Sequence, residues 1–99
     1  MILSIDYDDT YTKDPLLWNW FIGTALERGH TVYCVSFRHE TEMEEPKQTV
    51  GRLIGSANCF GTGGLGKQVF MDQKRIPVEV WIDDTPDAIV RGSEYYQLF

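Results

Sequence analysis

The sequence predicts an α/β fold: a three-layer α/β/α sandwich around a mostly parallel sheet of four or five strands. Three observations predict it. Short apolar, β-branched runs alternate with stretches of helical spacing. The run Thr31-Val32-Tyr33-Cys34-Val35-Ser36-Phe37 is apolar almost throughout, as in a parallel strand covered on both faces. Two apolar runs end in carboxylates, at Asp6 and at Asp83-Asp84, and open parallel sheets place their ligands at such strand ends. A chain of 99 residues holds one domain, 1–99, with no room for a second core.

The first strand is Met1-Ile2-Leu3-Ser4-Ile5, running into the turn Asp6-Tyr7-Asp8-Asp9-Thr10. After a short connector, Asp14 caps a helix and Pro15 takes its first position. Leu16, Leu17, Trp20, Phe21, Thr24, Ala25 and Arg28 keep the helical spacing, and Gly29 stops the helix. Trp18 and Trp20 cannot both face the sheet, and Trp20 is assigned to the core. Residues 31–37 form the second strand. A strand–helix–strand unit of this length is a right-handed crossover, so the second strand runs parallel to the first and Ser36 ends beside Asp6.

Residues 40–46 are acidic and read as an exposed loop, followed by a helix over 48–54 with Val50, Leu53 and Ile54 on one face. A weak third strand spans 57–60. The glycine-rich turn 61–66 leads into a helix over 67–74 with Val69, Phe70 and Gln73 inward. The fourth strand, 78–84, is followed by a helix through 87–91 that Gly92 stops. The aromatic tail, 94–99, is assigned to an edge strand or a dimer contact.

Composition narrows the function. The formal net charge is -6 and no basic run exceeds Lys74-Arg75, so bulk electrostatics indicates neither nucleic acid nor an anionic membrane as partner. No apolar stretch reaches transmembrane length and no basic leader precedes the first strand, which predicts a cytoplasmic protein. Cys34 and Cys59 stand in apolar surroundings and read as buried free thiols.

The acidic turn has two readings of equal weight when taken alone. Crowded carboxylates repel unless a cation or a shared proton intervenes, which makes a metal site; a polar turn capping the next helix is the plainer one. Context favours the first. Asp6-Tyr7-Asp8-Asp9-Thr10, Val35-Ser36-Phe37-Arg38, Lys67 and Trp81-Ile82-Asp83-Asp84 each follow the appropriate element. In that order they resemble the four motifs of the haloacid dehalogenase-like (HAD) phosphohydrolase superfamily, over nearly the whole chain.

The resemblance implies a Rossmann-like, HAD-like fold and a Mg²⁺-dependent phosphatase working through an aspartyl phosphate. Asp6 would be the nucleophile and Asp8 the general acid, then base. Ser36 would hydrogen-bond the phosphoryl oxygens, and Lys67 would neutralise them and hold Asp6. Asp84, helped by Asp83, would bind Mg²⁺ with Asp6 and the backbone carbonyl of Asp8. The physics runs the same way: a carboxylate attacks a phosphoryl dianion only where cations screen the charge.

Departures from the family pattern are visible too. Asp9 stands where glycine is usual, and residues 39–62 are too few for a cap domain. A capless site is open, which in the family goes with large phosphorylated substrates or with capping by a second copy in a homodimer.

Competing readings surround the site. Gly61-Thr62-Gly63-Gly64-Leu65-Gly66-Lys67 also fits the phosphate-cradling G-x-x-x-x-G-K loop, but Gln68 stands where Ser or Thr should meet Mg²⁺. Lys67 is preferred to Lys74 because it opens its helix at the carboxylate edge, with Lys74 about two turns away. Arg38 is a candidate phosphate contact or the partner of an acid in 40–45. His39 is a loop residue near the site, and Asp87 either supports the metal or caps a helix dipole. The alternative function is a non-catalytic HAD-like module that binds a phosphorylated ligand or partner protein.

Overall fold

The computed structural model describes residues 1–98, with side chains through Tyr95. Four strands, β1 (Ile2–Ile5), β2 (Thr31–Ser36), β3 (Cys59–Gly61) and β4 (Val80–Ile82), form one sheet in the order β3-β2-β1-β4. All neighbours are parallel, with Ile5 opposite both Cys34 and Ile82, and Ser36 opposite Gly61. This register brings the C-terminal ends of all four strands to one edge. Leu3, Ile5, Val32, Cys34 and Val35 are buried, as the near-continuous apolar runs require. Cys34 and Cys59 are buried free thiols lying side by side.

Helix α1 (Pro15–Glu27) begins as its sequence dictates: the Asp14 carboxylate accepts the Leu17 N–H at 3.2 Å and Pro15 occupies the first turn. Its buried face differs from the expected one. Ile22 and Ala25 are buried, and Trp18 and Phe21, edge-to-face with each other at 5.8 Å, pack against the core. Positions 18, 21, 22 and 25 form one stripe at helical spacing. Leu16 and Trp20 lie on the outward side, 82% and 69% exposed, so the tryptophan assignment is reversed. The apolar positions of this helix go nearly all the way round, and only the direction of approach to the sheet selects a stripe.

Residues 40–46 are largely exposed, as expected, but they are not an irregular loop. A 3-10 turn, Glu40–Glu42, leads into α2 (Glu44–Gln48) and α3 (Gly51–Ile54), with Met43, Pro46 and Val50 buried. Two short helices thus replace the single helix expected over 48–54. Gly61 makes the close approach possible: a Cβ there would lie 2.5 Å from the Arg38 carbonyl oxygen. Glu40 then accepts the Gly61 N–H at 3.1 Å, protecting the outer strand's edge, and pairs with Lys47 at 2.9 Å.

Helix α4 (Lys67–Gln73) buries Lys67 and Met71, whereas Val69 and Gln73 face outward. Helix α5 (Asp87–Val90) packs against it. The fourth strand is shorter than expected, and the tail is a 3-10 helix (Ser93–Leu98) rather than an edge strand; Phe99 lies outside the described residues. No helix among the described residues is long and apolar enough to cross a membrane.

Candidate active site

The end of β1 delivers Asp6 to the carboxylate edge. Its N–H still donates to the Ile82 carbonyl at 2.9 Å, so the residue is anchored in the sheet while its side chain leaves it. The chain then turns sharply, with the Tyr11 N–H reaching back to the Asp6 carbonyl at 3.3 Å. Asp9 takes φ +62°, a left-handed conformation that glycine adopts freely, and its N–H donates to the Thr12 hydroxyl at 2.9 Å. Asp9→Gly should therefore stabilise the protein by about 0.5–1 kcal/mol, read as a higher urea midpoint. A lower midpoint would show that the aspartate side chain contributes more than its backbone costs.

Lys67 is the centre of the site. Its side chain is 3% exposed, and its ammonium donates to Asp6 Oδ1 at 2.9 Å and to Asp83 Oδ2 at 2.5 Å. The glycine turn before α4 lets the lysine start deep, with Gly63 and Gly64 at φ +66° and +90°. The buried pairing with two carboxylates leaves Lys67 facing acids, not the open mouth of a phosphate-cradling loop. Lys74 stands apart, stacked over the Phe60 and Phe70 rings.

Oxygens of Asp6, Asp83 and Asp84 all lie within 4.8 Å of one another. Burial raises the Asp6 carboxyl from 3.8 to about 6, against the pull of Lys67 and with the added push of Asp83. Such a cluster is short of positive charge. Its donors are carboxylate oxygens only, which suits a hard divalent cation such as Mg²⁺. Asp83 is already engaged by Lys67 and by the Thr85 N–H at 2.9 Å, so any cation would share it with the lysine. Burial pushes the Asp84 carboxyl up, but hydrogen bonds with Asp6, Thr10 and Thr85 outweigh it and leave the group below its ordinary value.

Thr10 ties the two acidic strand ends together and was not singled out from the sequence. Its buried hydroxyl accepts the Asp84 N–H at 3.1 Å and lies 3.3 Å from Asp6 Oδ2 and 3.1 Å from Asp84 Oδ1, with one proton to give. Its place in the turn, four residues after Asp6, was the available clue.

Asp8 stands outside this cluster. Arg38 grips it with two parallel bonds, Nε to Oδ2 and Nη2 to Oδ1, each 2.9 Å. These bonds hold the Asp8 carboxyl below the usual carboxylate range. The same guanidinium donates to the Glu42 carbonyl and to Glu45, and lies over the Tyr7 ring. Arg38 thus pairs with an acid of the 40–45 run, Glu45 at 3.3 Å, and it also lines the site, where its guanidinium is taken up by Asp8.

Ser36 is buried at the end of β2, where its Oγ accepts the Arg38 N–H at 3.0 Å. Asp6, Asp8, Ser36, Arg38, Lys67 and Asp84 line one cavity of about 480 Å³, together with Asp83. His39 does not line it; its ring nitrogen accepts the Thr41 N–H at the start of the 3-10 turn. Asp87 also stays outside, in the first turn of α5. No family model, curated protein or solved structure matches this chain.

Proposed function

We propose that this chain is a small, capless HAD-like phosphohydrolase that cleaves phosphomonoesters through an aspartyl phosphate on Asp6. The observation that carries the reading is the buried Lys67 bridging Asp6 and Asp83, at a strand edge that also presents Ser36 and Asp84. A nucleophilic carboxylate, a fixed cation beside it, a hydroxyl and two further acids are the groups that phosphoryl transfer needs. The three-layer sandwich of that family belongs to the same proposal.

In the first half, an Asp6 oxygen attacks phosphorus as the bond to the leaving oxygen breaks. Lys67 offsets the charge gathering on the transferred group and holds Asp6 in place. Ser36 is placed to hydrogen-bond a phosphoryl oxygen. In the second half, water attacks the aspartyl phosphate, Asp8 takes its proton, and phosphate leaves with Asp6 restored. Asp8 is poised for that second task because Arg38 keeps it ionised. To protonate the leaving oxygen in the first half it must part from Arg38 and take up a proton from water, and the proton it takes from the attacking water in the second half restores that acid form. Mg²⁺, held by Asp6, Asp84 and the Asp8 carbonyl with help from Asp83, would supply the remaining positive charge that lets two anions meet.

The test is phosphate release from an aryl phosphate and from acetyl phosphate, with and without Mg²⁺. Asp6→Asn should lower the metal-dependent rate by at least about a thousand-fold, the scale on which other covalent enzymes lose activity without their nucleophile. Turnover that persists in Asp6→Asn overturns the mechanism. An inert wild type turns the reading toward a phosphate-binding module.

A further inference from the structure

A second cavity, of about 410 Å³, opens beside the first and shares Asp9, Asp83 and Asp84 with it. Its inner wall is mostly apolar, built from Leu17 and Trp18 of α1 and from Ile82, the last residue of β4. The apolar surface therefore begins one residue before the acidic pair. Trp18 stands edge-on to Phe21 at 5.8 Å, and both pack against the core. Leu17 is 49% exposed although it sits on a helix that packs against the core. Apolar surface left wetted beside a reactive site is stabilised when a ligand covers it.

We infer that this cavity is a specificity subsite that takes a neutral, flat apolar ring carried by the phosphomonoester. The apolar wall selects a ring, and the rim excludes an anionic one: Asp9, Asp14, Asp83 and Asp84 stand against the single Lys13, so a second anionic group is repelled. Two of these acids are already engaged, Asp83 by Lys67 and Asp14 by the Leu17 N–H, which leaves little free charge to recruit a cation. The phosphoryl end stays with Lys67 and Ser36 in the first cavity, and the ring reaches over the shared acids. The cavity is open to solvent, so a fused two-ring system can lie along its apolar wall without being enclosed. The inference rests on the phosphoryl-transfer reading of the neighbouring carboxylates.

The experiment compares two non-hydrolysable probes, 1-naphthyl phosphonate and methyl phosphonate, titrated calorimetrically into the full chain with Mg²⁺. The naphthyl compound should bind at least about ten-fold more tightly. Leu17→Ser, a change at a half-exposed position that folding tolerates, should cut that ratio about five-fold. Leu16→Ser, on the same helix but outside the cavity, should leave it unchanged. Equal affinities, no binding of either probe, or a ratio that Leu17→Ser does not alter each overturn the subsite.

A parallel comparison of adenosine monophosphate with ribose 5-phosphate identifies the source of the ring. A gain for the nucleotide points to a base, and no gain points to an aryl phosphate. Acetyl phosphate turnover separates the two levels of the argument. Turnover without ring preference keeps the phosphatase and loses the subsite. Ring preference without turnover keeps the subsite and loses the hydrolysis.

Discussion

Asp6→Asn should make the metal-free protein more stable at about pH 7.5 while removing its activity. Asp6 is only 8% exposed and its carboxyl is raised from 3.8 to about 6, chiefly by burial. Between those values the native state binds more protons than the unfolded chain. Stability therefore falls as pH rises from about 4 to 6 and stays at the lower level above that. Two units of pKa correspond to at most about 3 kcal/mol, so the asparagine variant should gain about 1–3 kcal/mol at pH 7.5 in chelator. Near pH 4, where the wild-type carboxyl is protonated in the native state, the gain should vanish. Urea denaturation at the two pH values measures it, and a variant that is less stable than wild type at pH 7.5 contradicts the account. Adding Mg²⁺ should erase the difference by stabilising the wild type alone, because a bound cation favours the carboxylate that the variant lacks.

Lys67→Met should have the opposite sign and a larger size. The side chain bridges Asp6 and Asp83, and both ion pairs are almost wholly buried. Removing one partner of a buried pair leaves an uncompensated charge and costs about 3–5 kcal/mol. Asp6 responds in a definite direction: without the lysine that lowers it, its pKa moves further up. A neutral Asp6 needs no cation, so the destabilisation should shrink as pH falls toward about 5. Lys74→Met is the control. Lys74 stacks on two aromatic rings at the surface and should cost less than about 1 kcal/mol. A Lys67 variant no less stable than the Lys74 variant would show that the central pairing contributes little.

The candidate site was legible in the sequence because its central residues end, directly follow or open a regular element. Asp6, Ser36 and Asp83 are the first residue beyond β1, the last of β2 and the first beyond β4, and Lys67 opens α4. Once the strands are parallel, register alone brings those positions to one edge. The strand alternation was legible for the same reason, since burial on both faces writes itself as continuous apolar runs.

Contacts between distant segments were not legible. The pairing of Asp8 with Arg38 and the bridge from Thr10 to Asp84 join residues 30 and 74 positions apart, and no local pattern marks either. The inward stripe of α1 was misplaced because the helix is apolar nearly all round, so spacing offers several faces. The segment 40–46 was misread because its acidic surface hides two residues, Met43 and Pro46, that the core takes in.

The sequence by itself determined the alternation of strands and helices, the parallel sheet, and the gathering of Asp6, Ser36, Lys67 and Asp83-Asp84 at one edge. Periodicity and turn chemistry are local, and they act before the chain is compact. Only the tertiary structure decided that Lys67 is buried between two carboxylates, that Arg38 is occupied by Asp8, and that Leu17 walls a cavity together with Trp18, which also packs on the core. Those outcomes depend on the angle and depth at which elements meet, and close packing sets both.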